Sequence, residues 1–158
     1  MTTLTKGPAR PEPALAPGDA RWFFGQLAII RATGVDTGGA YSLIEVHCPA
    51  GLEAPLHVHH AEDEGFLILD GELTFTVGDE TVKACAGDFL LGPKDVPHSF
   101  RVDSDGARML WVMTPAGFEN LVAAASVPAE RLTPPPASVA PPADAAEIVQ
   151  RFGGELLG

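Results

Sequence analysis

The chain is poor in cysteine. Cys48 and Cys85 are the only two in 158 residues, too few for a disulfide framework, which implies a reducing compartment, the cytoplasm. Basic residues are also scarce: 10 Lys and Arg against 21 Asp and Glu give a formal net charge of -11. A surface of that sign repels phosphate polyanions, so neither nucleic acid nor an anionic membrane is an expected partner. No apolar run approaches the roughly 20 residues that span a bilayer. The first residues, Met1-Thr2-Thr3-Leu4-Thr5-Lys6-Gly7-Pro8, lack the apolar stretch of a secretory signal. What remains, 46% hydrophobic and 20% charged, is the composition of one globular domain.

Proline is unevenly spread. Ten of fifteen lie outside the middle of the chain, at 8, 11, 13 and 17 and again at 128, 134–136, 141 and 142. This divides the sequence into a Pro-rich segment over 1–20, a body over 21–115, a helix over 116–127, an extended Pro-rich linker over 128–143 and a last helix over 144–158. Proline lacks the N–H that a helix or an inner strand needs, so the linker is expected to form neither.

Within the body the apolar period is two. It predicts strands at Phe23–Arg31, Ala40–Cys48, Leu56–His59, Gly65–Leu69, Leu73–Val77, Thr81–Ala84, Phe89–Leu91, His98–Val102 and Ala107–Met113, with no helix between them. Turn residues separate them, among them Thr37-Gly38-Gly39, Asp70-Gly71 and Gly78-Asp79. Many short strands so spaced indicate an all-β sandwich or barrel. Beyond the body, Thr114 and Pro115 suit a helix cap and first turn, and Phe118, Leu121, Val122 and Ala125 form one apolar stripe. Asp144 and Glu147 have the spacing of a second helix start, and Gly153-Gly154 ends it. These stripes are expected to pack on the body or on a partner subunit.

The chemistry concentrates in the histidines. His57 and His59 point to one face of a strand, because alternate residues do. Glu64 follows in the acidic cluster Glu62-Asp63-Glu64, and His98 opens a later strand. Three imidazoles and a carboxylate turned inward would suit a transition metal. Glu62 and Asp63 are expected on a solvated rim, His60 to point away from the metal, and His47 to lie on the surface. Cys48 and Cys85 read as small buried hydrophobes without activating basic neighbours.

The spacing then becomes specific. Gly51, His57, His59, Glu64 and Gly71 fill every position of the first cupin motif, and Gly87, Pro93 and His98 follow the second. Two departures stand out there: Asp95 replaces the usual glycine and Arg101 the usual asparagine. Trp22-Phe23-Phe24-Gly25, Thr37-Gly38-Gly39-Ala40-Tyr41-Ser42-Leu43 and Thr114-Pro115-Ala116-Gly117-Phe118-Glu119 resemble the small single-domain cupins called quercetin dioxygenase-like, and the likeness covers about residues 20–157. It implies an all-β fold, a cupin-type jelly-roll β-barrel with short C-terminal helices. It also implies one divalent transition metal (Fe, Mn, Ni, Co, Cu or Zn) held by His57, His59, Glu64 and His98. Fold does not fix the substrate.

If Glu64 points inward, so do Phe66 and Ile68; if His98 does, so does Phe100. These would wall an apolar substrate pocket. The other face of the same strand, Leu67 and Leu69, is apolar as well, so a second sheet or a second subunit should cover it, and a homodimer is the expectation, with the N-terminal segment crossing between subunits. The expected function is a metal-dependent dioxygenase, quercetinase-like, acting on a small phenolic or enolizable compound with dioxygen, with Glu64 also able to accept the substrate's proton. A metal-dependent isomerase, cyclase or hydrolase, or a non-catalytic small-molecule-binding cupin, are the alternatives.

Overall fold

A computed structural model describes residues 14–158; the expected subunit-crossing role of the N-terminal segment falls largely on residues 1–13, outside that range. The elements run β1 (Ala20–Phe23), β2 (Gln26–Ala32), α1 (Gly34–Thr37), β3 (Ser42–Pro49), β4 (His57–His59), β5 (Asp63–Asp70) and β6 (Glu72–Val77). They continue with β7 (Glu80–Cys85), β8 (Phe89–Gly92), β9 (His98–Val102), β10 (Gly106–Thr114), α2 (Phe118–Ala125), β11 (Val127–Pro128), α3 (Ala145–Arg151) and β12 (Gly154–Leu156). Their hydrogen bonds form two antiparallel sheets rather than one continuous ladder. One has the order β11-β1-β2-β3-β10-β5-β8, the other β12-β4-β9-β6-β7.

The core lies between the sheets. On β10 the inward residues Ala107, Met109, Trp111 and Met113 are all buried, while Arg108, Leu110 and Val112 on the other face are not. Phe66 from the larger sheet meets Phe75 and Phe100 from the smaller one, with ring centroids 5.0 and 6.2 Å apart. These edge-on contacts join the two layers and add to the area term.

Several expectations change. The strand predicted over Phe23–Arg31 is two strands joined at Phe24-Gly25, where Phe23 pairs with Gln26. Both turn residues have positive φ, 49° and 78°, which makes a two-residue hairpin whose twist matches the strands. The apolar Phe24 hid this turn from a reading based on polar punctuation. A four-residue helix, α1, does interrupt the strands; the Asp36 carboxylate accepts from the Thr33 N–H and hydroxyl at 2.8 Å and holds its start. Thr114 does not cap α2. It ends β10, opposite Asp63, and the helix begins at Phe118 after Gly117. Cys48 is buried, which pushes its thiol up to about 12, whereas Cys85 is exposed on β7.

The proline-rich stretch is tied to the body. Val127-Pro128 pairs with Trp22 and Arg21 at a sheet edge, contrary to the expectation that no strand forms there. An edge position spares proline the hydrogen bond it cannot donate. Farther on, the Trp22 indole N–H donates to the Thr133 carbonyl at 2.8 Å, and Val139 packs on Trp22, Leu27 and Ile29. The chain then returns through α3 and adds β12 beside β4, with Gly154 opposite His59 and Leu156 opposite His57. The sequence reading placed only a helix there.

Gly71 joins β5 to β6 with φ of 93°, and a Cβ at that site would press into the Gly106 carbonyl and lie 2.8 Å from the Ala107 Cα. Left-handed backbone and backbone collision act together, so Gly71→Ala should destabilise the fold by about 2 kcal/mol or more. Urea denaturation should show a lower midpoint with an unchanged slope.

Candidate metal centre

The site bridges the two sheets. His57 and His59 share one face of β4, and His98 on β9 is the direct partner of His57. Glu64 comes from β5 in the opposite sheet and is 2% exposed. One ligand atom from each residue falls within a group spanning 4.8 Å. The Nε2 atoms of His98, His59 and His57 lie 2.9, 3.0 and 3.7 Å from the same oxygen, Glu64 Oε2.

The outer ring nitrogens explain why Nε2 faces inward in each case. His57 Nδ1 donates to the Pro55 carbonyl at 2.7 Å, and His98 Nδ1 to the Val96 carbonyl at 3.1 Å. A carbonyl only accepts, so those protons sit on Nδ1 and leave Nε2 for the centre. His59 Nδ1 lies 3.0 Å from Glu62 Oε1. The short strand β4 and the backbone carbonyls beside it thus set ring orientation before any ligand is bound. Gly92, opposite Glu64 on β8, lets the His98 ring lie close: a Cβ there would be 2.9 Å from His98 Cε1 and 3.0 Å from its Nδ1.

Electrostatics follow from burial. Removal from water raises the Glu64 carboxyl, yet the three imidazoles gathered on its Oε2, with the His98 hydrogen bond at 2.9 Å among them, outweigh it and hold the group well below the ordinary carboxylate range. Burial lowers His59, but Glu62 and Glu64 on either side push it up to about 10. His59 Nε2 is buried and lacks a hydrogen bond of acceptable direction despite its nearness to Glu64. A buried ring nitrogen left so, beside two other imidazoles and a carboxylate, fits a divalent transition metal.

A cavity, open at its mouth, rises from this cluster. His57, His59 and Glu64 form its polar end, and Phe23, Phe24, Phe100, Trp111, Phe118 and Leu121 much of its wall. Val149 from α3 and Leu156 from β12 complete it. Of the three expected pocket residues, Phe100 lines the cavity. Phe66 and Ile68 do not; they are buried among the core side chains instead. Strand phase gave their inward direction but not their depth along the strand.

Glu62 departs most from expectation. It is 6% exposed and turned onto His59, not on a solvated rim. Its surroundings explain this: the His60 N–H donates to the Gly153 carbonyl at 2.8 Å, and Gly153 sits against Ala61, so the C-terminal segment covers the loop. No strand alternation applies in that loop, and only the i, i+3 spacing from His59 could have flagged the residue. His60 is exposed between Asp95 and Glu155, at 2.6 and 3.0 Å, which raises its pKa. Asp95 adopts φ of 68° where the motif has glycine, a conformation that aspartate tolerates. Arg101, in place of asparagine, is exposed and paired with Asp103 at 2.9 Å. His47 is half-buried and bonded to Glu45 at 2.6 Å, away from the cluster.

Fold and site together define a two-sheet β-protein with three imidazoles and one carboxylate converging in its interior. Residues 44–114 match the family model described as a cupin domain, and the chain carries a cupin domain over those residues. It is 32% identical over 117 residues to quercetin 2,3-dioxygenase from Bacillus subtilis, covering 73% of this chain and 35% of that enzyme. The quercetin 2,3-dioxygenase of Aspergillus japonicus is 30% identical over 103 residues, 61% of this chain and 29% of the enzyme. The chain thus spans about a third of the length of these curated relatives. Among solved structures, KdgF from Halomonas sp. superposes with a TM-score of 0.56 at 16% identity, over 61% of this chain and 84% of that one, a likeness of fold.

Gly92→Ala tests the close approach at His98. Its methyl displaces the His98 ring while all four ligand residues are retained, so transition-metal affinity should fall at least about tenfold, in the range of losses from disturbed ligand orientation. Competition with a chromophoric chelator would measure it.

Proposed function

We propose that this protein is a metal-dependent dioxygenase acting on a small phenolic or enolizable compound. The observation that carries the reading is the position of the His57, His59, Glu64 and His98 cluster at the closed end of an apolar, aromatic-walled cavity. The likeness to two quercetin 2,3-dioxygenases supports the reaction class without fixing the substrate. A divalent transition metal bound to these residues would supply a Lewis acid for a substrate hydroxyl and access to dioxygen chemistry.

The residues of the chain have separable tasks. His57, His59 and His98 turn their Nε2 atoms to the centre. The rings of Phe23, Phe24 and Phe100 exclude water and hold a flat apolar body by its faces and edges. Glu64 is the only carboxylate among the lining residues, so it is the group that accepts the hydroxyl proton. Its low pKa opposes that task while the three imidazoles crowd its Oε2. Transfer therefore requires Glu64 to turn from the histidines toward the aromatic wall, where desolvation makes a carboxylate more basic.

We also infer a homodimer through the outer face of the larger sheet. Leu67 and Leu110 pair there across β5 and β10. The edge strand β8 leaves Phe89 59% and Leu91 48% exposed, beside unpaired backbone groups. A second copy of the same face covers both.

Untagged protein should contain close to one equivalent of Fe, Mn, Ni, Co or Cu by elemental mass spectrometry, and should consume dioxygen with some member of a flavonol and phenol panel. No uptake with any of these metals loaded would remove the dioxygenase reading; turnover without oxygen would replace it with isomerase, cyclase or hydrolase chemistry. Glu64→Gln should lower kcat at least about 100-fold, the scale of a lost general base. Light scattering should give twice the 16.5 kDa chain mass, and a monomer at micromolar concentration would sink the dimer.

A further inference from the structure

The three imidazoles of the cluster are oriented by unlike partners. Two are held by neutral backbone carbonyls, Pro55 for His57 and Val96 for His98. Only His59 is held by a charged side chain, Glu62, with Oε1 3.0 Å from Nδ1. Both partners are almost fully buried, with side-chain exposures of 5% for His59 and 8% for Glu62. Burying a carboxylate is costly unless it is paired, and His59 is the partner that the structure gives it.

We propose that Glu62 is a positioning residue for the metal centre: it fixes the Nδ1–H form of His59, aims Nε2 at the metal and makes His59 a stronger donor than His57 or His98. This rests on the metal-binding part of the function proposed above. A carboxylate accepts the Nδ1 proton and repels a lone pair at that nitrogen, so only one ring orientation satisfies both His59 and Glu62. It also draws positive charge toward Nδ1 and leaves more electron density at Nε2. A carbonyl fixes the ring but adds no charge, so His57 and His98 receive orientation alone. Glu62 lies outside the cavity lining and therefore acts through His59 rather than on substrate.

The loop that carries Glu62 is itself fastened. The Gly153 carbonyl accepts the His60 N–H at 2.8 Å, and a Cβ on Gly153 would lie 3.1 Å from the Ala61 Cβ. Ordering of this loop by the C-terminal strand keeps Glu62 desolvated, where its pull on His59 is strongest.

The test uses the full chain with Zn²⁺ and Co²⁺ as probes. Glu62→Ala and Glu62→Gln are compared with wild type by chelator competition, by thermal melting, and by proton NMR of the Zn²⁺ form. Wild type should show a low-field, exchange-protected His59 Nδ1–H resonance. Glu62→Ala should lose that resonance and bind both metals about 10–100-fold more weakly. Glu62→Gln keeps an acceptor without charge, so it should retain the resonance at higher field and lose less affinity. Two variants that keep both the low-field resonance and the metal affinity within twofold of wild type would overturn the proposal. An equal drop in melting temperature and affinity for both variants, with the resonance unmoved, would also overturn it and leave Glu62 a packing residue. Wild type that takes up neither metal would overturn the metal reading itself, a result distinct from either.

Discussion

The structure depends on one buried negative charge. Glu64 stands in the interior between two sheets, and such a group destabilises a fold unless opposite charge or strong donors meet it. Three imidazoles from the facing sheet converge on a single oxygen of it. That requirement explains the pairing of His57 with His98, the short strand β4 and the glycine at position 92 that lets an imidazole pass close to the chain. A metal in this place would take over the role that shared protons play among these groups, so binding and internal cohesion draw on the same atoms.

Around that charge the molecule arranges apolar matter in depth. Phe66, Phe75 and Ile68 pack below the cluster and carry stability, while Phe100, Trp111 and Phe118 stand beside the cavity and shape it. The division follows position along each strand, since all these side chains share the inward phase. One sheet face therefore serves both core and site, and the boundary between them is the row of histidines.

Much of this was legible in the sequence because a period of two is read residue by residue. Leu73 to Val77 alternates cleanly, and the structure buries Leu73 and Phe75 of β6 in the core. Fixed spacing made His57, His59, Glu64 and His98 a set before any distance was known. The hairpin at Phe24-Gly25 escaped because its first residue is a large apolar one, and a positive φ leaves no mark on composition. β12 escaped because three residues carry no periodicity; β4 supplies its hydrogen bonds. Glu62 escaped because an acidic run looks solvated, and only a segment about ninety residues away in sequence, with the His60–Glu155 contact at a separation of 95, makes it dry. Contacts of that range are set by topology and not by local pattern.

The placement of β12 has a consequence for assembly. The ligand strands β4, β5 and β9 lie in the first two thirds of the chain, whereas Val149 and Leu156 of the cavity wall come from its last ten residues. During synthesis the coordinating side chains would leave the ribosome and pair well before the wall that shields them exists. A cation arriving in that interval would meet an open, hydrated cluster, ranked by ligand affinity and local supply. The later docking of β12 against His57 and His59 would then seal in whichever ion had come first, so metal identity would be a matter of history as well as of equilibrium.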